Sequence, residues 1–182
     1  MIENVNSCDW AYSGPMTQTA RQDNAAAATA PETGIERLYS SELANETEFL
    51  AARARSVGSR RANEDLAALD LKVRSYSVLS LACSGLKPSQ RELAEFLFLD
   101  PSQIVALVDA LEKRGAVKRK ADPRDRRSNI ITPTAAGKRL YAEAAAIVQN
   151  AGNSALGALS PAERDQLRSL LRRVAFADQQ PA

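Results

Sequence analysis

Along most of this chain the apolar residues recur every three or four positions, the period of a helix that buries one face. The clearest stripe is Ile104, Leu107, Val108 and Leu111. Asp100-Pro-Ser-Gln103 marks its start, with an acidic cap and a proline in the first turn. Just upstream, Ser89-Gln-Arg-Glu92 has the spacing of a capping box, in which serine and glutamate each satisfy the other's backbone amide. It opens a short helix with Leu93, Ala94, Leu97 and either Phe96 or Phe98 inward. Before that, Tyr76, Leu79 and Cys83 beside Val78 predict a helix over 73–83, stopped by Ser84-Gly85-Leu-Lys-Pro88.

Two longer helical stretches flank this set. From Ser41, read as a cap, to about Ala68 the composition is helical, with Phe49, Arg53, Ser56, Arg60, Asn63 and Ala67 at helical spacing and a possible bend at Gly58. Such a polar stripe suits a subunit interface better than a core. Downstream, Thr132-Pro133 opens a helix with Ala136, Leu140, Ala144 and Ile147 on one face. Ser160-Pro-Ala-Glu163 is a further capping box, followed by Leu167, Leu170, Leu171 and Val174.

Within the helical part of the chain the period fails between residues 114 and 133. Val117-Lys-Arg-Lys and Ser128-Asn-Ile-Ile-Thr132 carry β-branched residues, and Asp122-Pro123 between them favours a turn. This is a β-hairpin with an arginine-rich tip. Charge sharpens the picture: Lys113 to Arg127 holds eight basic and two acidic residues, whereas the whole chain has a net charge of only +2. A hairpin so charged suits a phosphate backbone, with an arginine of the tip in a narrow minor groove.

Composition removes other classes. The 182 residues are 45% hydrophobic and 25% charged, enough for a globular core, and include no histidine. Without histidine the Ser-His and Cys-His nucleophiles are gone, and no paired acids in an apolar setting replace them, so an enzyme is not expected. Cys8 and Cys83 are too few and too far apart for a zinc site or a disulfide framework. No cofactor is expected. Cys83 falls on an apolar face as a small buried hydrophobe, and Cys8 has no basic neighbour to activate it. No apolar run is long enough for a membrane helix and the start lacks signal-peptide features, so the expected place is the cytoplasm, with no membrane partner. Residues 1–33, rich in Ala, Thr, Asn and Gln, read as a flexible arm in which Trp10 and Tyr12 are available to dock on a partner subunit.

Two short helices, the second with a small, polar outer face, then a basic hairpin, make a winged helix-turn-helix. Ser102, Gln103, Val105 and Ala106 face outward near the start of the second helix, where bulk would block entry to a major groove and Gln103 suits adenine. Lys87, Ser89, Gln90, Lys113, Lys118, Arg119 and Lys120 are placed for the DNA backbone, and Arg124, Asp125, Arg126 and Arg127 form the wing tip.

Read together, Leu69 to Leu79, Glu92-Leu-Ala94, Leu107-Val-Asp-Ala-Leu-Glu-Lys-Arg-Gly115, Asp122-Pro-Arg-Asp-Arg-Arg127 and Thr132-Pro-Thr-Ala-Ala-Gly137 resemble the MarR family of bacterial transcriptional regulators. The Asp-x-Arg signature of the family's wing is matched by Asp125-Arg126-Arg127, and Asp109 matches an aspartate frequent in its recognition helix. The resemblance implies that the residue at Arg127 enters the minor groove while the aspartate orients arginines. It departs at Val105 and Ala106, where the family often carries Thr and Arg, so base preference does not carry over.

The fold class expected is mainly α (α+β). A winged helix-turn-helix at about 70–133, with a two-stranded wing, would be flanked by dimerisation helices at about 41–68 and 134–176, all within a 34–182 domain. The implied function is a sequence-specific regulator that binds double-stranded DNA as a homodimer on a pseudo-palindromic operator, with repression relieved by a small-molecule effector. Tyr39, Arg53, Arg74 and Tyr76 are the candidates for its pocket. The alternatives are a winged-helix module that binds protein, or a regulator switched by cysteine oxidation.

Overall fold

A computed structural model describes residues 34–177, apart from Arg124, Arg126 and Arg127. The expectations for the arm, including Cys8, Trp10 and Tyr12, and for three of the four wing-tip residues therefore lie outside the described residues. The chain divides into two units, Met1–Ser41 and Glu42–Ala182. In the first, a 3-10 helix spans Ile35–Ser40, and Ser41 closes it, its amide and hydroxyl both donating to the Leu38 carbonyl. Ser41 thus closes this helix, and a further 3-10 helix, Glu42–Asn45, stands between it and the long helix that begins at Thr47.

The second unit holds six α-helices and one hairpin among its described residues: α1 (Thr47–Leu66), α2 (Val73–Cys83), α3 (Gln90–Leu97), α4 (Pro101–Lys113), β1 (Val117–Ala121), β2 (Asn129–Pro133), α5 (Ala135–Ala155) and α6 (Pro161–Ala175). None of these helices is long and apolar enough to cross a membrane. The core lies where α2, α3 and α4 meet the hairpin, with Val78, Leu79, Leu93, Ile104, Val108 and Ile131 fully buried. Burying a side chain of this size contributes roughly 1.5–3 kcal/mol, so this cluster dominates the unit's stability.

Local signals explain most of the boundaries. Ser89 accepts a hydrogen bond from the Glu92 amide (3.2 Å) while the Glu92 carboxylate accepts one from the Ser89 amide (2.6 Å), completing the capping box of α3. Ser160 and Glu163 repeat the arrangement at α6. Asp100 behaves otherwise: its side chain makes no cap, and its carbonyl takes the Gln103 and Ile104 amides. At α2 the cap comes from another helix, because the Asn63 side-chain oxygen of α1 accepts the Val73 amide at 2.8 Å.

Several expectations are corrected. Phe96 and Phe98 both point outward, 53% and 90% exposed. The reason is that α3 ends at Leu97 with Phe98 in a left-handed conformation (φ 51°), which turns its side chain away and brings Leu99 back onto the core. The polar stripe of α1 from Arg53 to Ala67 needs no correction: it is exposed, as its unsuitability for a core implies, and the helix buries Ala62 and Leu66. Gly58 introduces no break: α1 continues through it and packs on α5, where a Cβ at Gly58 would meet Ala155 at 4.0 Å. Finally, α5 starts after Thr134, whose hydroxyl accepts the Gly137 amide and donates to the Gly115 carbonyl, because β2 runs on through Pro133.

The strands pair antiparallel, from Val117 opposite Pro133 to Ala121 opposite Asn129. The root of the hairpin is also joined to the start of α3: the Ile131 amide donates to the Pro88 carbonyl at 2.8 Å, and Ser89 bridges to Ile130. At the far end of the chain α6 buries nothing. Leu170, Leu171 and Val174 are 47%, 52% and 78% exposed.

Candidate nucleic-acid interface

Helix α4 has two unlike faces because its apolar residues keep a strict helical period. Ile104, Val108 and Leu111 are sunk in the core, while Ser102, Gln103, Val105, Ala106, Asp109 and Lys113 are exposed. Leu107, expected in the same stripe, is only half-buried and lies at its edge. The exposed face carries no long side chain before Lys113 apart from Gln103, so a groove of nucleic acid meets little steric obstruction there.

Beside this face runs β1. Lys118 and Lys120 are exposed, as are Lys113 at the end of α4 and Lys87 in the turn before α3. These four cations are free to face a phosphate backbone. Arg119, expected among them, is not. Its guanidinium donates to Asp109 and Glu112 of α4 and, at 2.9 Å, to the Gln90 side chain of α3, and its own amide donates to Glu112 at 3.0 Å. The strand passes directly over the carboxylates of α4, and a single arginine pairs with both. Its backbone amide first, and then its side chain, hold the Glu112 carboxyl below the usual carboxylate range. Ser89 is likewise turned inward, 7% exposed and occupied as a cap, and the Gln90 oxygen is taken by Arg119.

The wing tip closes through its backbone. Asp122, read from sequence as a tip residue, is buried at 4% exposure, with its amide on the Ser128 carbonyl, and the Ser128 amide returns to the Asp125 carbonyl at 2.9 Å. Asp125 is exposed.

The effector candidates separate. Tyr76 stacks on Tyr141, ring centroids 6.0 Å apart at 20°, and burial raises its phenol pKa, so it is a packing residue between α2 and α5. Arg53 lies on the exposed side of α1, and Tyr39 belongs to the first unit. Arg74 alone lines a cavity, of about 420 Å³, between α1, the first turn of α2 and α4. Arg55, Ser56, Ser59, Asn63 and Lys72 line it too; of these, sequence spacing singles out Ser56 and Asn63, but not as part of a pocket. Arg55 and Lys72 are seventeen positions apart on different elements, so only the fold brings them together. Cys83 is half-buried, and burial pushes its thiol up although Lys138 opposes the shift. Its thiolate is therefore scarce at neutral pH, which weighs against an oxidation switch there.

Comparison with known proteins meets this geometry. A MarR family model matches residues 69–128, the helix-turn-helix and most of the wing. The chain is 40% identical to a MarR-family transcriptional regulator from Rhodococcus sp. RHA1, whose crystal structure it matches with a TM-score of 0.72 over 76% of this chain and 98% of that one. It is 38% identical to CouR from Rhodococcus jostii RHA1, solved with p-coumaroyl-CoA bound, with a TM-score of 0.68 over 75% of this chain and 96% of that one. Among curated proteins it is 32% identical over 99 residues to a putative transcriptional regulatory protein for the hcr operon of Thauera aromatica, which is 54% of this chain and 60% of that regulator's length. With its two-stranded wing set against α3 and α4, the chain belongs to the MarR family of winged-helix, DNA-binding transcriptional regulators.

Proposed function

We propose that the protein is a homodimeric repressor that recognises a pseudo-palindromic operator and releases it when a small molecule binds. The observation that carries this reading is the exposed α4 face of Ser102, Gln103, Val105 and Ala106, flanked by the free cations Lys87, Lys113, Lys118 and Lys120. In it the α4 residues read bases and the lysines hold the backbone. Gln90 adds its remaining amide donor, and Arg124, Arg126 and Arg127, with Asp125, follow the minor groove. Lacking hydroxyl and guanidinium groups at positions 105 and 106, the helix reads through Gln103 and through apolar contact with thymine methyls.

Dimerisation is supported by Leu170, Leu171 and Val174 of α6, exposed in the single chain, and by the exposed Leu50 and Val57 of α1. These surfaces supply the helices by which two copies set their recognition helices about one turn of DNA apart. Effector control is supported by the cavity beside Arg74 and by CouR, whose bound p-coumaroyl-CoA makes an acyl-CoA thioester the first class to try.

Selection of random duplexes by the purified protein tests the whole reading. Recovery of an inverted repeat with half-sites about ten base pairs apart is the expected result. Sequence-blind, salt-sensitive recovery would remove base reading by α4, and no recovery at all would leave a protein-binding winged helix.

A further inference from the structure

The cavity between α1, α2 and α4 has an unusual charge balance. Arg55, Lys72 and Arg74 all line it, and among the described residues lining it there is no carboxylate. None of the three side chains has a hydrogen-bonding or ionic partner among the described residues, in contrast with Arg119, which binds two acids. Three exposed like charges around about 420 Å³ give this space a local positive potential that favours an anion over a neutral or cationic ligand. A single carboxylate leaves two of the three uncompensated.

The walls point the same way. Val73 and Leu107 are the only aliphatic side chains lining the cavity, so an aromatic acid finds little apolar surface against which to bury its ring. Recognition must come from charge-assisted hydrogen bonds, for which phosphate oxygens suit arginine and lysine. Val73, Arg74 and Ser75 of the first turn of α2 line the same space, although the Val73 amide is already held by Asn63.

We propose that this cavity takes the phosphate groups of a polyanionic effector, held by Arg55, Lys72 and Arg74, in preference to a free aromatic carboxylate. The proposal rests on the effector-controlled reading above and narrows its ligand class. Leu107 makes α4 one wall of the site, so the bound anion bears on the recognition helix itself.

The test is calorimetric titration of the full chain, at one fixed ionic strength, with tripolyphosphate, coenzyme A and salicylate. Three variants accompany it: Lys72→Gln with Arg74→Gln, Arg55→Gln alone, and Lys118→Gln with Lys120→Gln. Tighter binding of either phosphate compound than of salicylate is expected, weakened about tenfold or more in both cavity variants and unchanged in the wing variant. Coenzyme A bound more tightly than tripolyphosphate identifies a nucleotide conjugate as the source of the phosphates, and the reverse order a bare polyphosphate. Phosphate binding that survives both cavity variants, or that is lost in the wing variant instead, overturns the assignment, as does tighter binding of salicylate. Duplex affinity of the same proteins without added anion is read separately. Retained affinity shows the cavity variants to be folded, and failure of the unaltered chain to bind duplex would sink the DNA reading while the titrations still decide the cavity.

Discussion

Arg119 of the wing and Asp109 of the recognition helix are joined by a direct ion pair, and the same guanidinium reaches Glu112 one helical turn further on. The acidic side chains that would repel a phosphate backbone are thereby partly offset from within the chain. We therefore expect Arg119→Gln to lower duplex affinity about tenfold, the range for a charge-assisted hydrogen bond, although Arg119 itself need not touch DNA. Adding Asp109→Asn to that variant should restore part of the loss, whereas Asp109→Asn alone should leave affinity unchanged or raise it slightly. A double-mutant cycle read by fluorescence anisotropy measures this, and strictly additive effects would mean that the two residues act independently.

The same network predicts a pH dependence. Because the folded protein holds the Glu112 carboxyl below its ordinary value, the stabilisation it gives is fully present above the ordinary glutamate range and is lost as pH falls through the depressed value. Denaturation midpoints of the wild type and Glu112→Gln should differ at neutral pH and converge in acid. A gap that widens in acid would contradict the network's sign.

Gly137 is the tightest packing point described. A Cβ at this position would lie 1.9 Å from the Ala116 carbonyl oxygen, a backbone atom that cannot turn aside. Gly137→Ala should cost about 3 kcal/mol or more in thermal or chemical denaturation, despite alanine's better helix propensity. Neutral behaviour would show that α5 can lift away from the strand at little cost.

Asn63 supplies the cap that α2 lacks. Asn63→Ala should destabilise the protein by about 1 kcal/mol, and Asn63→Asp, which keeps the acceptor, should recover most of it. Denaturant titration of the three proteins decides the point, because a surface residue of α1 without this bond would tolerate alanine.

Lys118 and Lys120 carry the proposed backbone contacts of β1. Each change to glutamine should reduce the slope of log affinity against log salt by about one, with little effect on which sequence is preferred. Unchanged slopes would place the wing's strand away from the phosphates.

Features set by neighbours in sequence were legible in advance. The capping boxes at Ser89 and Ser160 follow from residues three apart, and the split of α4 into buried and exposed faces follows from the spacing of Ile104, Val108 and Leu111. What escaped depends on partners distant in sequence. The charge of Arg119 suggested phosphate, because nothing local shows that β1 passes over Asp109 and Glu112. Asn63 looked like one more polar position on α1, since its partner amide belongs to α2. The cavity drew Arg74 from the candidate set but also Arg55 and Lys72, which sit on separate elements. Phe98 misled for a different reason: its size suggests burial, but its left-handed backbone at the end of α3 directs the side chain outward.

The backbone stitch between β2 and the start of α3, through Ile131 with Pro88 and Ser89 with Ile130, gives the reading head a mechanical property. Among the described residues both strands of the wing's root are tied to the helices, β2 to the start of α3 and β1, through Arg119, to α4. Moving that root against the helices would break main-chain hydrogen bonds, so the proposed release of DNA is more readily reached by turning root and helices together as one lever.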